Sequence, residues 1–296
     1  MNQIYIKAPK GCRFINDIPE IKTIYNNDLP PNAVIDKQVT GCGGTTLALT
    51  NDQPYVIAVH LIRMIENKAK QFGTTVLSVT GDTKPAEILQ YIDSTNNPKI
   101  LCTYDSIPRL SDVLGKRSKD FRLLVDEIHC LIGYMDRFKP SVAVRLIDGM
   151  GDTFKSVSYL TATPTNYNYL PQPLKSLDQV KIEWADARKP DLVHSFSNRS
   201  LSEDVLATVI GNLENTTDEL YIFYNSRRYV VAMIKKLLKL NKTLKLEDIN
   251  VLFSETEENT LYFKKYLGSK FKYGEFPDGT NNKRINFISS MGFERM

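Results

Sequence analysis

The chain has 296 residues, of which 42% are hydrophobic and 24% are charged, and it carries a formal charge of +4. This length predicts two domains, and the composition is ordinary for a soluble globular protein rather than a disordered or fibrous one. The small positive charge permits nucleic-acid binding without arguing for it, because a surface that binds phosphates is a local property.

Between Pro54 and Thr163, short apolar runs alternate with polar segments that are compatible with helices. The apolar runs predict strands at residues 55–59, 75–79, 99–103, 122–126 and 156–161. The segments between them predict helices at residues 61–72, 85–94, 106–114 and 140–148. This alternation indicates an α/β fold, with a parallel sheet covered by helices.

A less regular stretch that contains several prolines follows, from Asn166 to about Asn198, and it predicts the connection to a second domain. The alternation then resumes, with helices predicted at residues 203–213 and 226–240 and strands at 219–224, 250–253 and 285–288. The predicted organisation is therefore an N-terminal extension (1–33), a first domain (34–170), a linker (171–200) and a partial second domain (201–296).

The cysteines and the overall hydropathy indicate the compartment. The four cysteines (12, 42, 102 and 130) are scattered without metal-ligand spacing, which indicates reduced thiols, and with only three histidines a structural zinc site is not expected. The sequence contains no run of eighteen apolar residues and no signal-peptide profile. We therefore expect a soluble, cytoplasmic protein with no membrane partner.

Two adjacent carboxylates, Asp126 and Glu127, follow an apolar run at residues 123–125. At the end of a core strand they would lie where open α/β sheets bind their ligands. One carboxylate can hold a hydrated magnesium ion while its neighbour orients a water, as hydrolysis of a phosphate anhydride requires. A solvated acidic turn is the alternative interpretation of such a pair.

A glycine-rich segment resembles a phosphate-binding loop that opens into a helix: Gly41-Cys42-Gly43-Gly44-Thr45-Thr46. Its glycines would let backbone N–H groups converge on phosphate oxygens, and the helix N-terminus adds a favourable dipole. Either Thr45 or Thr46 would supply a hydroxyl to magnesium.

This segment departs from the usual pattern at two positions. Gly44 stands where the lysine belongs, and Gln38 stands where the first glycine belongs. The segment is therefore either a degenerate phosphate cradle or a glycine-rich turn. Lys37 could reach the phosphates instead, although a solvated side chain is the more common state of a lysine.

A third segment, Thr161-Ala162-Thr163-Pro164, begins 35 residues after Asp126 at the end of the next predicted strand. In this order the three segments resemble motifs I, II and III of superfamily 2 helicases and translocases of the DEAD/DEAH-box type. Weaker similarities to motif Ia, a strand-end motif, motif IV and the beginning of motif V lie at residues 57–68, 103–106, 221–226 and 286–294.

The resemblance covers about residues 34–294 and implies two RecA-like parallel-sheet domains of the P-loop NTPase type. The second domain would be incomplete, because no arginine-rich motif VI follows residue 294. Either the chain is truncated or its second domain finishes differently. The cofactors that the resemblance implies are ATP and Mg²⁺, and the implied partner is DNA or RNA, preferably as a single strand.

The resemblance also assigns roles to residues. Glu127 and Asp126 would be catalytic, with Asp126 and Thr45 holding magnesium and residues 41–46 binding the nucleotide. The residues that would couple nucleotide state to domain closure are His129, Thr161 and Thr163. The residues that would contact a nucleic-acid backbone are Thr103, Tyr104, Asp105, Ser106 and Arg109.

Two functions stay open on this basis. The first is an ATP-dependent helicase or translocase core that hydrolyses ATP. The second is a degenerate module that binds nucleotide or nucleic acid without catalysis, which the glycine at position 44 and the missing motif VI favour.

Overall fold

The computed structural model describes residues 2–133, 147, 150–163, 168, 170–186, 201–217, 219–253, 256–274 and 283–289. The chain divides into two compact units, Met1–Pro190 and Asp191–Met296. Most of the helix predicted at 140–148, together with Pro164 and the motif V residues 290–294, lies outside the described residues.

The first unit contains an eight-stranded sheet in which every pair of neighbouring strands is parallel. This arrangement confirms the predicted α/β fold class. The strands lie in the order β1-β8-β2-β7-β6-β3-β5-β4. In chain order they are β1 (Gln3–Ala8), β2 (Ala33–Asp36), β3 (Tyr55–Val59), β4 (Leu77–Val79), β5 (Lys99–Thr103), β6 (Arg122–Asp126), β7 (Ser156–Thr161) and β8 (Asp178–Trp184).

Helices cover both faces of this sheet. Alternate residues of a strand point to opposite faces, so that Leu123 and Val125 of β6 belong to one hydrophobic cluster and Leu124 to another. Each fully buried side chain of this kind contributes roughly 1.5–3 kcal/mol. The described helices are α1 (Pro19–Thr23), α2 (Gly44–Thr50), α3 (Ile62–Phe72), α4 (Pro85–Ser94), α5 (Ile107–Leu114), α6 (Ile128–Gly133), α7 (Met150–Thr153) and α8 (Gln172–Lys175).

Strands β1 and β8 lie in the segments that were expected to form the N-terminal extension and the linker. They pair with each other over six residues, and β8 also pairs with β2. Both strands alternate buried and more exposed positions. Neither therefore shows the continuous apolar run that marks a central strand, because they lie at the side of the sheet.

The connection that leaves β2 determines where a ligand can bind. Helix α2 follows the carboxyl end of β2 and leads to β3, which lies three positions away in the sheet, beyond β7 and β6. The beginning of α2 is thereby directed toward the carboxyl ends of β7 and β6, at a change in strand order where open α/β sheets bind ligands.

The second unit contains a three-stranded parallel sheet in the order β10-β11-β9, which fits the predicted partial second domain. Its elements are α9 (Leu201–Asn215), β9 (Leu220–Phe223), α10 (Arg227–Leu240), β10 (Ile249–Leu252), α11 (Glu257–Leu267) and β11 (Ile285–Ile288). Only α11 was not predicted, and Phe263 is its one fully buried side chain. In the described parts of both units, no helix has the length and hydropathy needed to cross a bilayer.

Candidate functional site

The carboxyl end of β6 carries the acidic pair. Asp126 is the last residue of β6 and is only 2% exposed. Its Oδ2 accepts a hydrogen bond of 2.5 Å from Oγ1 of Thr45, in the first turn of α2. Its Oδ1 accepts a hydrogen bond of 3.1 Å from the backbone N–H of Glu127. The two residues predicted to hold magnesium therefore lie in direct contact.

The ammonium of Lys37 lies beside both carboxylates. Its Nζ is 2.8 Å from Oε1 of Glu127 and 3.6 Å from Oδ1 of Asp126. The residue is only 6% exposed, so the expectation of a solvated lysine was wrong. Burial lowers the pKa of Lys37, but the charges of Asp126 and Glu127 outweigh that effect and raise it above its ordinary value. The ammonium is therefore charged at neutral pH.

The three residues predicted to couple nucleotide state to closure lie around Glu127. His129 Nδ1 is 3.2 Å from Oε2 of Glu127 and 2.9 Å from Oγ1 of Thr161. His129 Nε2 is 3.5 Å from Oγ1 of Thr163. The ends of β6 and β7 are thereby linked through one imidazole, next to the carboxylate that is the candidate base.

The pKa of Glu127 reflects these neighbours. Burial raises the pKa of Glu127, but the hydrogen bond with His129 and the charge of Lys37 have a larger opposite effect and lower it to about 2. The carboxylate is therefore ionised throughout the neutral range, and it is held by partners on two sides.

This low pKa predicts that the acidic turn contributes a pH-dependent share of stability. Above the ordinary glutamate value of 4.5, the interactions of Glu127 contribute fully, and they are lost as the pH falls toward about 2. We expect the free energy of unfolding to fall more steeply between pH 4.5 and 2 in the wild type than in Glu127→Gln. Chemical denaturation followed by circular dichroism measures this, and identical pH dependence in the two proteins would contradict it.

The backbone at Glu127 is unusual, and Tyr104 supports it. Glu127 has a φ of 54°, in the left-handed region that costs a non-glycine residue about 1–2 kcal/mol. The hydroxyl of Tyr104 donates to the carbonyl oxygens of Asp126 and Glu127, the second at 3.1 Å. Tyr104 is fully buried. Its position does not support the predicted contact with nucleic acid, and it accounts instead for the shape of the acidic turn.

The glycine-rich segment forms a tight turn into α2. Gly41 and Gly43 have φ values of 68° and 85°, which favour glycine. Gln38, at the position of the expected first glycine, has a φ of 60°. The backbone thus adopts the left-handed conformation there without a glycine. The positive φ of Gln38 could not be predicted from sequence, because a glutamine gives no local signal for it.

Gly44 is buried at the start of α2, against β7. A Cβ added to it would lie 2.4 Å from Cδ2 of Leu160 and 3.4 Å from Cδ1 of Ile15. The first distance is too short for any side chain without rearrangement of the core. A lysine at this position would therefore require the terminal methyl group of the buried Leu160 to move.

The two remaining residues of the glycine-rich segment offer different groups. The thiol of Cys42 is buried, and burial raises its pKa to about 11, so it stays protonated at neutral pH. The hydroxyl of Thr46 accepts a hydrogen bond of 3.3 Å from Nζ of Lys68, on α3. A second lysine thus approaches the beginning of α2 from another helix.

The residues predicted to contact nucleic acid follow β5. Thr103 and Ser106 are linked through their hydroxyl oxygens at 3.1 Å. The guanidinium of Arg109 donates to the carbonyl oxygens of Thr80, Gly81 and Thr83, and so it holds the turn after β4. Of the five candidates, only Asp105 is exposed, and the contact with nucleic acid stays a prediction.

The oxygen donors fit a magnesium ion that shares its ligands with phosphate. Magnesium prefers hard oxygen ligands, and at phosphate sites it uses one or two protein carboxylates and completes its shell with phosphate oxygens and water. Asp126 and Thr45 supply such donors. Within the described ranges, no group of three or more His, Cys, Asp or Glu side chains forms a metal cage. A magnesium ion at this site would therefore need phosphate oxygens to complete its coordination shell.

Comparison with known proteins gives matches at the level of structure. No family model and no curated protein matches the chain. The DUF1998 helicase MrfA, bound to DNA and AMPPNP, matches with a TM-score of 0.55 and 14% identity, over 91% of this chain and 40% of that one. The DEAD-box helicase Mss116, bound to ssRNA and UDP-BeF, matches with a TM-score of 0.52 and 12% identity, over 97% and 68%.

The chain has the fold of a superfamily 2 helicase core. The predicted resemblance is thereby confirmed for the fold. The chain spans 40% of the length of MrfA and 68% of that of Mss116, so each of these helicases contains further structure that this chain does not match.

Proposed function

We propose that the first unit binds ATP with magnesium and hydrolyses it, as part of a motor that acts on single-stranded nucleic acid. The observation that carries this proposal is the hydrogen bond from Thr45 to Asp126, because it joins the glycine-rich turn to the acidic pair. The helicase fold supports the same conclusion, as do the nucleotides and nucleic acids bound to Mss116 and MrfA.

Each group of the site has a chemical role in this proposal. The backbone N–H groups of residues 41–46 would hold the phosphates at the N-terminus of α2. Thr45 and Asp126 would hold magnesium, which offsets the negative charge of the phosphates when it is bound. Glu127 is ionised at neutral pH and would orient the attacking water and accept its proton. His129 would keep the Glu127 carboxylate in position through its contact with Oε2.

ATP hydrolysis by the purified chain tests the proposal. We expect turnover that requires magnesium, stops on chelation and rises when single-stranded DNA or RNA is added. Comparing the two nucleic acids at the same salt concentration would also identify the preferred strand, because phosphate contacts depend steeply on salt. If the chain bound no ATP, the proposal would fail.

A second candidate function is nucleotide binding without hydrolysis. The observation that favours it is Gly44, which leaves the loop without its usual lysine and cannot be replaced without a clash. ATP binding with no turnover in the presence of magnesium and nucleic acid would support this candidate against the first.

A further inference from the structure

The site contains a positive charge although its phosphate loop has no lysine. A side chain at position 44 would clash with Leu160. The ammonium of Lys37 lies beside the carboxylates of Asp126 and Glu127, although Lys37 directly follows β2, seven residues before Gly44. A positive charge is therefore present at the site, but it comes from another position in the sequence.

The backbone of Lys37 is held by hydrogen bonds, whereas its ammonium is held by ion pairs. The N–H of Lys37 donates to the carbonyl oxygen of Thr161 at 2.8 Å, and its carbonyl oxygen accepts from Nε1 of Trp184 at 2.8 Å. Thr161 lies on β7 and Trp184 on β8, which are the two strands that flank β2 in the sheet. In the described part of the chain, the ammonium forms ion pairs only with Glu127 and Asp126, which are the candidate base and metal ligand.

We propose that Lys37 is the phosphate-binding lysine of this site, and that Glu127 holds its ammonium until the phosphates of a nucleotide compete for it. This inference rests on the proposed nucleotide binding. A buried ion pair gains little over the cost of removing both charges from water, so exchange of one anionic partner for another is energetically accessible. A polyphosphate offers more negative charge than one carboxylate, and charge-assisted hydrogen bonds to it are strong.

The exchange would also prepare Glu127 for its proposed role. While Lys37 is paired with Glu127, its ammonium lies 2.8 Å from Oε1 and occupies that side of the carboxylate. Movement of the ammonium to phosphate would remove this effect and leave Oε1 free for a water. Binding of the nucleotide would thereby free the carboxylate that is proposed to orient the attacking water.

Measurement of nucleotide affinity in paired variants tests this inference. Lys37→Met alone would leave both buried carboxylates without the lysine charge, so the main comparison is Glu127→Gln against Lys37→Met/Glu127→Gln. In the double variant Lys37 and its nearer partner Glu127 are neutral, and only Asp126, 3.6 Å from Nζ in the wild type, keeps its charge. We expect the double variant to bind AMPPNP roughly 10- to 100-fold more weakly than Glu127→Gln, as measured by calorimetry. AMP, which lacks the outer phosphates, should bind both variants equally.

The outcomes separate this inference from the proposed function. Failure of the wild type to bind AMPPNP would overturn both. Tight binding by the wild type, with equal affinity in the two variants, would overturn the role of Lys37 alone and leave a structural ion pair. A loss seen only in Lys68→Met would assign the phosphate contact to Lys68, the other lysine that approaches α2. Thermal melting of every variant shows whether the fold is retained.

Discussion

Glu127→Gln should bind ATP and hydrolyse it at least about 100-fold more slowly than the wild type, because a positioned general base typically contributes 10²–10⁴-fold. The substitution keeps the shape of the side chain and removes its ability to accept a proton. It also releases the ammonium of Lys37 from an ion pair of 2.8 Å. We therefore expect ATP affinity to be equal to or higher than that of the wild type.

Steady-state turnover and calorimetric ATP binding, measured on the same preparation, check this result. Glu87→Gln is a matched control, since Glu87 is an exposed residue in the first turn of α4 and lies outside the proposed site. Unchanged turnover in Glu127→Gln would remove Glu127 from the mechanism and would favour the acidic turn as a structural feature.

Gly44→Lys should destabilise the protein instead of improving ATP binding, although it restores the usual Gly-Lys-Thr sequence. The Cβ of any residue at this position would lie 2.4 Å from Cδ2 of Leu160. Overpacking of this kind costs typically about 1–3 kcal/mol. Gly44→Ala should show most of the same loss, because the clash begins at Cβ.

Urea denaturation measures the loss, with Gly81→Ala as the matched control. A Cβ added to Gly81 would meet no atom within 4 Å, so this control should change stability little. A Gly44→Lys protein as stable as the wild type, with more than tenfold tighter ATP binding, would contradict the packing explanation for the missing lysine.

Four inner strands of the first unit could be predicted from sequence to the residue, whereas β2, between β8 and β7, was not predicted. The runs at 55–59, 99–103, 122–126 and 156–161 coincide with β3, β5, β6 and β7. These strands are buried on both faces of the sheet: β3 is apolar throughout, β5 and β6 are apolar in their middle, and β7 adds the buried Ser156 and Ser158. By contrast, β1 and β8 are only partly buried, and their alternating sequences resemble those of many surface segments.

Part of the candidate site could be predicted for a similar reason. Parallel strands end at the same edge of a sheet, so the meeting of Thr45 with Asp126 follows from their places after β2 and within β6. The burial of Lys37 does not follow from its neighbours in sequence. It depends on anchoring by Thr161 and Trp184, which are more than a hundred residues away. The steric restriction at Gly44 likewise comes from a distant residue, Leu160 on β7.

The buried hydroxyl of Tyr104 joins the segment after β5 to the turn after β6. Tyr104 donates to the carbonyl oxygens of both Asp126 and Glu127, and its neighbour in sequence is the exposed Asp105. The exposed Asp105 therefore lies one buried side chain away from the carboxylate that we propose as the catalytic base.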